Sequence, residues 1–119
     1  MIIGRTFTFD AAHRLPDHGG KCWEMHGHTW RVTLEVEGDR ATQGQSNGMV
    51  MDLAELKTVA HTLLSRWDHK VLNEWFKHPT CENIAYELFK DLQEYLPVGV
   101  TVYSVQVQEG EGGWARCQK

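Results

Sequence analysis

The chain has 119 residues, the size of one domain, with 41 % apolar and 24 % charged residues, a balance that supports one hydrophobic core. No apolar run approaches the roughly 20 residues a membrane helix needs. The opening Met-Ile-Ile-Gly-Arg-Thr has no secretion-signal pattern, so a cytoplasmic protein is expected. A net charge of −4 without any Lys/Arg cluster argues against a reader of nucleic-acid backbones.

The first segment alternates, with Thr6, Thr8 and Asp10 polar and Phe7, Phe9 and Ala11 apolar. Period two predicts a strand with its odd face buried, and His13 continues that face. Pro16, Asp17, Gly19 and Gly20 mark residues 15–25 as a loop. A cleaner alternation follows: His26, His28, Trp30, Val32, Leu34 and Val36 on one side, Gly27, Thr29, Arg31, Thr33, Glu35 and Glu37 on the other. That predicts a long strand with both histidines on its apolar side.

After a Gly-rich loop at 38–48, Asp52 is a helix N-cap candidate with Glu55 three residues on. Leu53, Leu56, Val59, Ala60, Leu63, Leu64 and Trp67 recur at helical spacing, and Asp68-His69 falls where the pattern ends. A second helix is expected from Thr80, with Ile84, Ala85, Leu88, Phe89, Leu92 and Leu96 as its apolar face and Pro97 and Gly99 as its stop. Period two then returns: Tyr103, Val105, Val107 and Glu109 share one face, Ser104, Gln106 and Gln108 the other. Gly110, Gly112 and Gly113 make a turn before a short return strand at 114–118. The order ββααββ predicts a single α+β domain over 1–119: an antiparallel four-stranded sheet with two helices on one face. Its open edges favour association with other chains.

Seven histidines are many for this length, and three of them form a pattern. Side chains at i and i+2 of a strand point the same way, about 6.5–7 Å apart, so His26 and His28 can lean onto one ion. If the first two strands form a hairpin, His13 meets them at its loop end with matching parity. Three protein ligands leave one open position, the mark of a catalytic zinc. Any one of these histidines alone reads as an ordinary half-buried side chain. His18, His61 and His78 read as surface or cap residues.

Cys22, four residues before His26, is a candidate base or nucleophile, since a nearby metal or imidazolium lowers a thiol pKa. The three cysteines, Cys22, Cys81 and Cys117, contain no CxxC pair, so a disulfide framework is not expected. Asp68 beside His69 has the form of an acid–base relay. Glu109 is a carboxylate on the apolar parity of its strand and needs a partner; a ligand with two adjacent N–H donors would supply one.

Several of these segments together resemble the 6-pyruvoyl-tetrahydropterin synthase family. They are Phe9-Asp10-Ala11-Ala12-His13-Arg14-Leu15, Cys22-Trp23-Glu24-Met25-His26-Gly27-His28, Gly48-Met49-Val50-Met51-Asp52, Asp68-His69-Lys70-Val71-Leu72-Asn73, Pro79-Thr80-Cys81-Glu82-Asn83 and Leu96-Pro97-Val98-Gly99. The likeness covers nearly the whole chain in order. The Cys-x-x-x-His-Gly-His spacing is similar to the bacterial branch, which makes 6-carboxytetrahydropterin for queuosine. A branch that cleaves a dihydropterin for folate lacks this cysteine.

The resemblance implies a tunnelling fold, with three subunits joining sheets into a barrel, two barrels stacking into a homohexamer, and active sites between subunits. It implies 7,8-dihydroneopterin triphosphate as substrate and Zn2+ on His13, His26 and His28. By similarity, Cys22 is the catalytic base or nucleophile, Asp68 and His69 form a proton relay, and Glu109 anchors the pterin with Thr80 and Glu82 near it. Cys81 departs from the Ser or Thr common at its place. Arg14 and Lys21 are candidate triphosphate contacts by charge and position. Two other readings stay open: a lyase that only eliminates triphosphate to give the 6-pyruvoyl product, and a non-catalytic zinc module whose fourth ligand could only be Cys22.

Overall fold

The computed structural model describes all 119 residues except the side chain of Lys21, so the triphosphate contact expected of Lys21 lies outside the described residues. Two long strands, β1 (Ile2–His13) and β2 (His26–Glu37), pair antiparallel in unbroken register from Ile2↔Glu37 to His13↔His26. The alternation in the sequence sets this register. Phe9, Ala11, Trp30, Val32, Leu34 and Val36 all fall on one face and are buried, and a one-residue slip would turn them all to the other side.

Two helices cover that face. Helix α1 (Leu53–Leu64) starts at Asp52, whose side chain accepts from Ala54 N, and buries Leu56, Val59, Ala60, Leu63 and Leu64. Leu53 is exposed, and Trp67 lies beyond the helix, where its buried ring packs on Phe9 and Phe76. Helix α2 (Cys81–Gln93) is capped by Thr80 Oγ1, which accepts from Asn83 N at 3.1 Å. It ends four residues before Pro97, short of the expected Leu96. Each large side chain buried between helices and sheet contributes about 1.5–3 kcal/mol.

Strand β4 (Thr101–Glu109) pairs with β2, and β5 (Trp114–Gln118) pairs with β4. The register shifts between Glu35 and Val36, where Val36 faces Val102 and Glu35 faces Ser104. This bulge reverses parity along β4. Val102, not Tyr103, therefore joins Val105 and Val107 in the core, while Ser104 is buried against Glu35. The expected face of Tyr103 is corrected accordingly.

The sheet also gains a short strand beyond the four expected. β3 (Lys70–Val71) lies parallel to β1 and completes the order β3-β1-β2-β4-β5. A two-residue strand with no alternation to display is invisible to a periodicity reading. Beyond the bridges at Ala11 and Ala12, β1 has no strand on its outer side among the described residues. No helix is long and apolar enough to cross a membrane.

Candidate metal centre

At the loop end of the β1–β2 hairpin the apolar core gives way to three imidazoles. His13 is 1 % exposed, and its ring stands edge-on to Trp30 at 4.9 Å. Trp30 is itself pinned by an Nε1–H bond to Ala11 O, so the wall behind the histidines is fixed. The His13, His26 and His28 ring centroids lie 4.6, 5.2 and 4.7 Å apart. One ligand atom from each of the three, with a carboxylate oxygen of Glu109, lies within 4.8 Å of all the others.

The hydrogen bonds decide what this cluster can hold. His13 Nδ1 lies 2.8 Å from Pro79 O, and His26 Nδ1 lies 2.6 Å from Glu24 O. A carbonyl only accepts, so both Nδ1 atoms carry their hydrogens, and in the neutral rings both Nε2 atoms carry lone pairs. Those two Nε2 atoms face each other at 3.1 Å. Two lone pairs at that distance repel unless a proton or a cation lies between them. Burial, the leading influence, pushes the His13 pKa below its ordinary value; the Pro79 carbonyl and Glu109 oppose this, and His26 and His28 add to it. A proton on His13 is therefore disfavoured.

His28 Nε2 is also buried. It lies 3.1 Å from Glu109 Oε1 but is not aligned for a hydrogen bond, leaving it without a hydrogen-bond partner. A tetrahedral zinc with bonds of about 2.0–2.1 Å holds neighbouring nitrogens roughly 3.3 Å apart. The observed cluster fits that demand, and the two carbonyls fix ring orientation as outer partners of metal-bound histidines do.

The other candidates stand at varying distance from this centre. Cys22 is half-buried in a 3₁₀ turn, Lys21–Trp23, and its sulfur is not part of the four-residue group. The expectation that only Cys22 could close a fourth position gives way to Glu109, whose carboxylate is already there. Glu109 faces Trp30 across the strands, 3.8 Å from His13 Nε2, and is followed by Gly110 at a φ of 55° that favours glycine. Thr80 Oγ1 caps α2, and Glu82 is exposed on its first turn. Arg14 is exposed, and its backbone is clamped both ways by Asn73. His78 is more than a surface residue: its ring pairs with Asp17, and its carbonyl accepts from Thr80 N and Asn83 Nδ2.

Asp68 Oδ2 and His69 Nδ1 lie 3.0 Å apart, but elsewhere. They lie on the outer edge of β1, where Asp68 Oδ1 accepts from Asp10 N and His69 N donates to Asp10 O. His69 has a φ of 61°, uncommon for a non-glycine residue. Its side chain is 78 % exposed and lines an open hollow with Asp10, Ala12, Gly27 and Thr29, and His28 also contributes to that lining. Asp10 and Ala12 alternate with Ala11 and His13, so this hollow is on the face away from the helices. By strand parity the His13, His26 and His28 side chains lie on the other face, and His28 is the member of the cluster that also lines the hollow. Sequence reading missed the carbonyls of Pro79 and Glu24 and the clamp by Asp10. The Pro79 and Asp10 contacts span 66 and 58 residues and leave no local signal, whereas the Glu24 carbonyl is two residues from His26 in a loop that periodicity does not describe.

Three imidazoles at one end of a mostly antiparallel sheet backed by two helices define a small α+β domain with a group of side chains that could hold a metal ion. The 6-pyruvoyl tetrahydropterin synthase family profile matches residues 2–119, and the chain belongs to that family. It is 42 % identical over 112 residues to a 6-carboxy-5,6,7,8-tetrahydropterin synthase of Synechocystis, covering 91 % of this chain and 85 % of that one. Identity to the human 6-pyruvoyl tetrahydrobiopterin synthase is 36 % over 127 aligned positions, covering 90 % and 83 %. The structure of Caenorhabditis elegans 6-pyruvoyl tetrahydropterin synthase superposes with a TM-score of 0.84 at 28 % identity, covering 100 % and 95 %.

Proposed function

We propose that this chain is a zinc-dependent carbon–carbon lyase. It converts 7,8-dihydroneopterin triphosphate and water to 6-carboxy-5,6,7,8-tetrahydropterin, acetaldehyde and triphosphate, a step toward queuosine. The observation that carries the metal half of this reading is the 3.1 Å approach of the His13 and His26 Nε2 lone pairs, each ring held by a carbonyl at Nδ1. The identity to a 6-carboxytetrahydropterin synthase over most of the chain supports the product.

His13, His26 and His28 would hold the zinc. A zinc ion bound there would supply Lewis acidity toward the substrate's side-chain hydroxyls. Cys22 would take a proton from the side-chain carbons, and His69, oriented by Asp68, would deliver or remove one from the other side. Glu109 would accept two hydrogen bonds from the ring amide and exocyclic amine, with Thr80 and Glu82 close to the pterin. By strand parity Asp10, which clamps the Asp68–His69 pair, projects to the face opposite His13, His26 and His28, although His28 also lines the hollow beside His69. In this reading a working site would take its zinc from one subunit and its relay from another. Sheet edges joining into a barrel would bring them together, as a homohexamer made of two stacked trimers in the cytoplasm.

The test is incubation of the protein with 7,8-dihydroneopterin triphosphate, with and without a chelator, followed by mass spectrometry. Acetaldehyde and the 6-carboxy product are expected, and both should vanish with the metal. A 6-pyruvoyl product alone would move the chain to the eliminating branch. A zinc-loaded protein with no turnover would favour a binding module.

A further inference from the structure

The fourth member of the cluster does not behave like a residue waiting for a pterin. The Glu109 carboxylate is 30 % exposed and has no Lys or Arg partner among the described residues; its neighbours are His28 Nε2 at 3.1 Å and His13 Nε2 at 3.8 Å. A partly desolvated carboxylate without a cation is costly, and so are imidazole lone pairs turned toward one another. One divalent ion at their common centre resolves both. Three nitrogens and one carboxylate oxygen are a set zinc accepts, and four ligands complete its usual tetrahedron.

We propose that Glu109 is the fourth ligand of the substrate-free metal, and that an arriving pterin displaces it. The same carboxylate then turns to the ring. This rests on the metal centre set out above and deepens it, because a three-histidine site alone would leave the fourth position to water. A carboxylate there shields the ion until the substrate offers its own oxygens. The strand end suits such a swing, since Glu109 is the last residue of β4 and a glycine-rich turn follows it.

Cobalt(II) in place of zinc reports the ligand set by its visible spectrum, and a chromophoric chelator reports zinc affinity; neither readout needs turnover. E109Q is expected to bind zinc about tenfold or more weakly and to show an altered cobalt spectrum. E109D retains the charge but withdraws the oxygen, and is expected to alter the cobalt spectrum as well. It also serves if E109Q does not fold. In the wild type, saturating 7,8-dihydroneopterin should shift the cobalt spectrum. Unchanged zinc affinity and spectrum in E109Q, in a wild type that binds metal, would overturn this inference and leave the three-histidine centre standing. A wild-type spectrum unmoved by the pterin would overturn the exchange. A wild type that binds no metal would remove the centre itself, and this inference with it.

Discussion

Two histidine regions share the β1–β2 hairpin and are built in opposite ways. At its loop end, His13 and His28 pack against Trp30, and His13 and His26 are held by carbonyls, so much of the cluster's geometry is set before any ligand arrives. At the outer edge of β1, His69 is exposed and its backbone sits in the left-handed region, held there by Asp10. The first region is prepared to grip an ion, which demands fixed distances. The second leaves a ring open to whatever docks on that face, which suits the proton relay proposed for it.

The largest expected effect separates the regions outright. H28A should lower zinc affinity by more than the roughly 100-fold typical of losing an outer-sphere partner. Zinc content after dialysis checks this, and turnover should be lost with the metal. H69A should instead keep its zinc and lose about 10²–10⁴-fold in rate, the usual worth of a general acid or base. Mixed oligomers of H28A and H69A should regain turnover, because each supplies the half the other lacks. Mixtures as inactive as either parent would place both halves in one chain.

A smaller effect comes from Asp68. The backbone N–H of Asp10 is the main influence holding its pKa below the ordinary 3.8, helped by His69 and opposed by slight burial. A carboxyl depressed in the folded state stabilises above the unfolded pKa, and the contribution fades as pH falls through the folded value. Wild type should therefore exceed D68N in urea midpoint at pH 7, with the gap closing below about pH 3.8. The smallest effect concerns Cys81, beside the metal region. Burial first, then the charges of Glu109 and Glu82, push its thiol up to about 11. At pH 8 peptide mapping should find Cys81 almost unalkylated by iodoacetamide, with labelling rising steeply as pH approaches 11.

The sequence by itself determined the hairpin, both helix faces, and the common parity of residues 13, 26 and 28, because strand period two and helix period 3.6 are local rules that side-chain polarity displays directly. Glu109 stood out for the same reason, as a carboxylate among apolar neighbours. Tertiary structure alone decided that Glu109 reaches the imidazoles, that Pro79 fixes the His13 tautomer, and that a bulge exchanges Tyr103 for Val102. It alone also turned Asp68-His69 from the tail of a helix into an edge clamped by Asp10. Those outcomes depend on contacts between segments dozens of residues apart, and such contacts are set by packing rather than by any local pattern.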